Sequence, residues 1–291
     1  MIAYLYLVGA MLGSTMISVS STFYTKRNLL RPHVSRLYSL IVSISVTLGW
    51  LCIFLIDPSF DARVLLYSLG YGVLYTVAML GLVGALGNGS VALTAFFKQL
   101  SLVAVSVWGF FFWNTPVTAT VITGIALIVV ALALCLSGKK DGVERGRITL
   151  KWVLYILMLL VGNAGCSIIQ KYQQMAFDGK HGSMMMLFAT AFSIVVSFLL
   201  CLREDKTHYR EAMKKTWHFP ALAGLGSALL NFLVILLAVT AMSPALIYPG
   251  IAVGGFILTT LASVALFGER PTPRQWVGLS VGAVAIVFLN L

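Results

Sequence analysis

Residues 91–113 read VALTAFFKQLSLVAVSVWGFFFW. The run exceeds the ~20 apolar residues that a helix needs to cross a bilayer. Lys98 and Gln99 lie about a third of the way along it. An ammonium in hydrocarbon costs roughly 2.5–3.5 kcal/mol on insertion scales. Lys98 is therefore expected to face a bundle interior or a watery cavity and to have a partner there. Two roles fit: Lys98 and Gln99 meet a solute, or the lysine satisfies neighbouring carbonyls and holds helices together.

The rest of the chain has the same character. Of 291 residues, 59% are apolar and 10% charged, against about 25% charged in soluble domains. The mean hydropathy is +0.96. These values indicate an all-α integral membrane protein and leave too little polar sequence for a separate soluble domain. Helices are expected because they pair their backbone groups internally in lipid. A barrel would need shorter alternating segments.

Ten spans are expected, over residues 2–25, 38–56, 64–86, 91–113, 118–136, 152–175, 184–202, 220–239, 244–267 and 274–291. The first span has no basic segment before it and reads as a retained helix rather than a signal peptide. Residues 138–151 form a polar linker between halves 1–137 and 152–291. The formal charge of +11 lies mostly in short loops, which argues against nucleic acid as a partner. Sixteen Lys and Arg residues fall in loops on one face and two, Arg63 and Lys180, on the other. The positive-inside rule puts the sixteen in the cytoplasm and both termini outside. A bacterial plasma (inner) membrane is the expected location.

The halves repeat each other. A shift of 154 residues pairs Gly70 with Gly224, Gly72 with Gly226, Thr118 with Thr272 and Gly124 with Gly278. A shift of 149 pairs Gly13 with Gly162 and Ser18 with Ser167. Five spans per unit make the halves enter the membrane in opposite directions. That is the inverted-repeat plan of many secondary transporters, with the site near the midplane.

The second half ends MSPALIYPGIAVGGFILTTLASVALFGERPTPRQWVGLSVGAVAIVFLNL. It has a small-residue start, a Pro-Gly break, a Gly-Glu-Arg turn, and Gln-x-x-Gly leading into a last glycine-bearing helix. This resembles the drug/metabolite transporter superfamily in its ten-span EamA-type form. The first half departs from it, with Trp113-Asn114-Thr115-Pro116 at the corresponding turn. Cytoplasmic termini are usual in that group, opposite to the charge count here. The TAFFKQLSLV stretch also looks like the fourth span of nucleotide-sugar and phosphate-ester transporters. That likeness implies an anionic substrate group at Lys98, with Thr94 and Gln99 beside it.

Further candidates come from polar stripes. Asn163, Ser167, Gln170 and Gln174 share one face of the sixth span, with Lys171 at its edge. Ser14, Ser18, Ser21 and Thr25 repeat the pattern in the first. Such stripes line a cavity or glue helices together. Tyr67, Tyr71 and Tyr75 stand four apart and either wall a pocket, where aromatic faces can hold a cation, or pack helices. Asn231 and Tyr248 are lesser candidates. Pro249 should kink its span, while Glu269, Arg270 and Arg274 read as structural residues at the membrane edge.

No Asp or Glu lies in the middle of a span, so a carboxylate proton relay has no seat. No phosphate loop, nucleophile elbow or His/Cys metal cluster is present in the sequence. The four cysteines, Cys52, Cys135, Cys166 and Cys201, show neither metal-ligand nor disulfide spacing. The basic stretch REDKTHYREAMKKTWH at 203–218 is expected on the cytoplasmic surface near anionic lipid.

The expected protein is a secondary transporter of a small anionic or zwitterionic metabolite, working by alternating access without a cofactor. It is expected to be a monomer or homodimer and not an enzyme. The alternatives are a transporter of organic cations or drugs in an aromatic cavity, and a non-transporting scaffold or sensor.

Overall fold

The computed structural model describes residues 2–28, 35–88, 91–114, 117–137, 149–203, 207–267 and 272–288. Most of the expected linker, the Gly268–Arg270 turn and the side chains of Thr94, Gln99 and Cys135 lie outside what is described. The elements are α1 (Ile2–Arg27), α2 (Ser35–Ile56), α3 (Val64–Asn88), α4 (Val91–Phe112), α5 (Ala119–Ser137), α6 (Leu150–Ala176), α7 (Gly182–Leu202), α8 (Tyr209–Thr216), α9 (His218–Ala238), α10 (Pro244–Phe267) and α11 (Pro273–Phe288). No strand occurs among the described residues.

Seven of the helices are long and apolar enough to cross a membrane: α1, α2, α3, α6, α7, α9 and α10. Shorter apolar stretches lie within α4 and α5. Large apolar side chains such as Leu66, Leu154 and Val195 face outward, which is costly in water and natural in lipid. The chain is a multi-pass membrane protein.

Local chemistry sets several helix ends. Thr149 caps α6 by accepting the Trp152 amide at 3.2 Å. The turn from α6 to α7 is left-handed at Asp178, Gly179 and His181, and Val239 packs against Gly179. The basic stretch at 203–218 contains the separate helix α8, with Ala212 buried and Met213 exposed. Pro249 lies inside α10, which continues through it.

The principal contacts pair α3 with α6, α1 with α9, and α5 with α11. In addition, α2 packs on α7 and α9, α3 on α7, α4 on α6, and α10 on α1 and α4. Glycine permits the closest crossings. A Cβ on Gly162 would stand 2.6 Å from the Ala78 amide on α3, and one on Gly13 would stand 3.0 Å from the Gly226 carbonyl on α9.

The two ends of the bundle differ. At one end the connections 57–63, 177–181 and 239–243 approach each other: Arg63 lies over the Phe177 ring at 5.4 Å, and Gly179 meets Val239. Trp50, Tyr71, Met184, Met185, Met186 and Ile235 fill one part of that half. Leu7, Val105, Leu237, Tyr248 and Ile251 fill another. At the opposite end, Asn28 reaches Thr216 at 3.1 Å and Arg27 lies over Phe219 at 4.9 Å. The residues at this second end belong to the basic connections.

Candidate functional site

A polar network joins α3, α6 and α9. The Tyr71 hydroxyl donates to Asn231 Oδ1 at 3.2 Å. Gln170 Nε2 donates to the Asn231 carbonyl at 3.2 Å. Asn231 Nδ2 donates to the Ser227 carbonyl at 2.8 Å. The Cys166 thiol donates to the Tyr71 carbonyl at 3.7 Å. Tyr75, one turn along α3, stacks on Tyr71 with centroids 6.2 Å apart and rings 15° from parallel.

Tyr75 also lines a cavity of about 320 Å³ between α2, α3, α6 and α7. Of its lining, Arg36, Gly84, Tyr155 and Leu200 stand nearest the basic end. Ser39, Thr76 and Ser193 line its wall, with Met79 and Met158 as apolar lining. Arg36 is its one charged residue among the described lining. The guanidinium donates to the Leu200 carbonyl at 3.0 Å, a group near the end of α7 that also accepts the Arg203 amide at 3.3 Å.

Serines line the crossing of α2 and α7. Ser197 Oγ lies 3.5 Å from both Ser39 Oγ and Ser43 Oγ. Residues 43 and 197 are 154 apart, the shift at which the sequence predicts a repeat. Ser39 and Ser193 are separated identically.

The sequence candidates fall into groups. Tyr71, Tyr75 and Gln170 converge, with Asn231 among them. Gln174 and Gln173 are buried beside them in α6, the first donating to the second and Gln173 donating to the Lys180 carbonyl at 2.7 Å. These amides tie the α6–α7 turn, and Gln174 Oε1 is buried without a partner. The Lys171 ammonium donates to the Ala238 carbonyl. It thus caps the end of α9, where a cation also suits the helix dipole.

Asn163, Ser167 and Ser14 are half-buried, and no partner for their side chains is found among the described residues. Ser14 stands beside Gly255 of α10, and the Ser18 hydroxyl bonds back to the Ser14 carbonyl at 3.1 Å. Tyr248 is buried in the apolar cluster around Val105 and Ile251. Lys98 is half-buried on α4. Its carbonyl accepts from Ser101 at 2.6 Å, and no partner for its ammonium is found among the described residues. Lys98 and Lys171 are not among the residues lining the cavity.

Sequence reasoning missed Arg36, Ser39, Thr76, Ser193 and Gln173. The signal for Arg36 was masked by position: a cation at the start of a span reads as a loop charge. The serines were legible in principle, since Ser39 and Ser43 recur as Ser193 and Ser197 at the repeat shift. Among the described residues no cluster of His, Cys, Asp or Glu is arranged to hold a metal ion.

At the end opposite the basic connections, outside the spans, Asp61 and Arg63 form an ion pair at 2.7 Å. The Arg63 side chain, through hydrogen bonding, holds the Asp61 carboxyl down at about 2, and the Arg63 backbone amide adds to this.

No family model matches the chain, and no curated protein does. A solved structure described as "Crystal structure of protein" is similar in fold. The TM-score is 0.72, over 98% of this chain and 95% of that one, at 12% identity. At that identity the likeness shows a shared fold alone.

Proposed function

We propose that this protein is a secondary transporter of a small polar metabolite, anionic or zwitterionic, working by alternating access of two inverted five-span repeats. The observation that carries the reading is the exchange symmetry of the packing. Let α1, α2, α3, α4 and α5 correspond to α6, α7, α9, α10 and α11. The pair α3–α6 then becomes α9–α1, α2–α9 becomes α7–α3, and α1–α10 becomes α6–α4. The pairs α2–α7, α4–α10 and α5–α11 map onto themselves. Such a bundle can rock between two related arrangements around a fixed site.

The cavity supports the same reading. It lies between helices of the two proposed halves, α2 and α3 on one side and α6 and α7 on the other, where a transporter of this plan holds its solute. By the positive-inside rule the basic end lies in the cytoplasm and both termini outside, in a bacterial inner membrane. Membership of the drug/metabolite transporter superfamily, in its EamA-type form, remains part of the proposal. Tyr75 and Tyr155 in the lining are what favours the organic-cation alternative.

Flux tests the proposal. Protein reconstituted into liposomes and loaded in turn with carboxylates, phosphate esters and amino acids should exchange at least one of these solutes faster than protein-free vesicles. Flux at the protein-free level for all of them, and for organic cations, would favour the scaffold or sensor.

A further inference from the structure

We propose that the exposed face of α8, formed by Arg210, Met213, Lys214 and Trp217, docks on the anionic phospholipid headgroups of the leaflet that borders the basic end. The inference goes beyond the transporter reading and does not depend on it. The inner face of α8 is already occupied. Ala212 and Thr216 are buried. Ala212 packs with Tyr24, Leu37 and Phe219, which stand at the ends of α1, α2 and α9. The Thr216 hydroxyl accepts from Asn28 Nδ2 at 3.1 Å and donates to the Ala212 carbonyl at 2.7 Å. These contacts decide which side of the helix turns outward.

The outward side joins cations to large apolar groups. Arg210, Met213, Lys214 and Trp217 stand at i, i+3, i+4 and i+7, which is one helical face. Trp217 keeps helical backbone angles, φ −58° and ψ −32°. Met213 is 48% and Trp217 53% exposed, and Arg210 and Lys214 are exposed beside them. Neither cation has an ion-pair partner among the described residues, while Glu211 on the adjacent face is taken up by Lys215 at 3.1 Å. Such a face suits the boundary between headgroups and acyl chains, where cations meet phosphates and apolar side chains enter the lipid. The depth agrees. Trp217 directly precedes His218, the first residue of a helix long enough to cross the membrane, and tryptophan is enriched at that level. A soluble acidic partner would use the two cations but not the depth of Trp217.

The test is a thermal-shift titration of the purified full-length protein in neutral detergent, where stabilisation follows affinity. The probes are phosphatidylglycerol, phosphatidylcholine and glycerol 3-phosphate. Phosphatidylglycerol should raise the melting temperature, and the other two should not. The rise should shrink at high salt, which screens exposed charges. Arg210→Gln combined with Lys214→Gln should weaken phosphatidylglycerol binding roughly twentyfold, about fivefold per cation. Trp217→Ser should weaken it several-fold. Lys151→Gln combined with Arg274→Gln removes the same charge from exposed positions at the same end and should change nothing.

Equal stabilisation by the two lipids, or by neither, would overturn the proposal. So would an undiminished response in the Arg210 and Lys214 double variant, or an equal loss in the Lys151 and Arg274 control. A shift with glycerol 3-phosphate as large as that with phosphatidylglycerol would mark a site for soluble anions and overturn the docking. If the Arg210 and Lys214 double variant does not fold, Trp217→Ser and the control variant decide: a loss in the first alone upholds the proposal, and any other pattern overturns it.

Discussion

Lys171 shows how a residue's surroundings change its meaning. Its position within a span suggests a substrate contact, yet its ammonium ends on the Ala238 carbonyl at the end of α9. Lys171→Met should therefore lower stability by about 1 kcal/mol, read as a drop in melting temperature, and leave ligand selectivity unchanged. Tyr71 is a second case. Tyr71→Phe keeps the ring stacked on Tyr75 but removes the donor to Asn231 Oδ1. The orphaned acceptor should cost about 1–3 kcal/mol in thermal unfolding. Asp61 gives a pH signature. Its carboxyl is held at about 2 in the folded chain, below the usual ~3.9. Its contribution to stability is complete above the unfolded value and disappears as the pH falls through the folded one. An acid titration of Asp61→Asn against wild type should show the two stability curves converging between about pH 4 and pH 2. Lys98 keeps the role assigned from sequence only as a proposal: Lys98→Ala should reduce flux of anionic solutes, and unchanged flux of every one would remove that role.

Among the elements, helix existence was legible and helix contacts were not. Runs near 20 apolar residues define spans because the bilayer core fixes their length. The separate helix α8 was hidden inside a stretch read only as amphipathic and basic. The tyrosine stripe of α3 led toward the cavity because its four-residue spacing places Tyr71 and Tyr75 on one face. The glutamines of α6 were also legible as a stripe, but the sequence does not say that the stripe meets α9 rather than water. Arg36 stayed hidden because only the crossing of α2 and α7 turns a loop-edge charge into part of a cavity lining. Glycine spacing now makes a sharper statement about elements. Gly162→Val must push α6 away from α3, since even a Cβ would stand 2.6 Å from a backbone amide. Gly250→Ala would meet Leu7 at an ordinary 3.7 Å. The valine variant should lose much of its thermal stability in detergent and the alanine variant little of it. Equal losses would show that the α3–α6 crossing is not as close as described.

Across the whole molecule, the helix pairs exchange under the proposed repeat, and Ser43 and Ser197, 154 residues apart, face each other across α2 and α7. The cavity lies between α2, α3, α6 and α7, and alternating access requires that it be reached from each face in turn. Ser193 lines the cavity and reports on it directly. The decisive measurement places Ser193→Cys in a chain whose four native cysteines are replaced and follows its reaction with a membrane-impermeant thiol reagent in vesicles of each orientation. The account predicts labelling from both faces, with labelling from the face opposite the basic one suppressed when Asp61→Cys and His181→Cys are cross-linked across that end. Labelling from the basic face alone, unchanged by the cross-link, would contradict it.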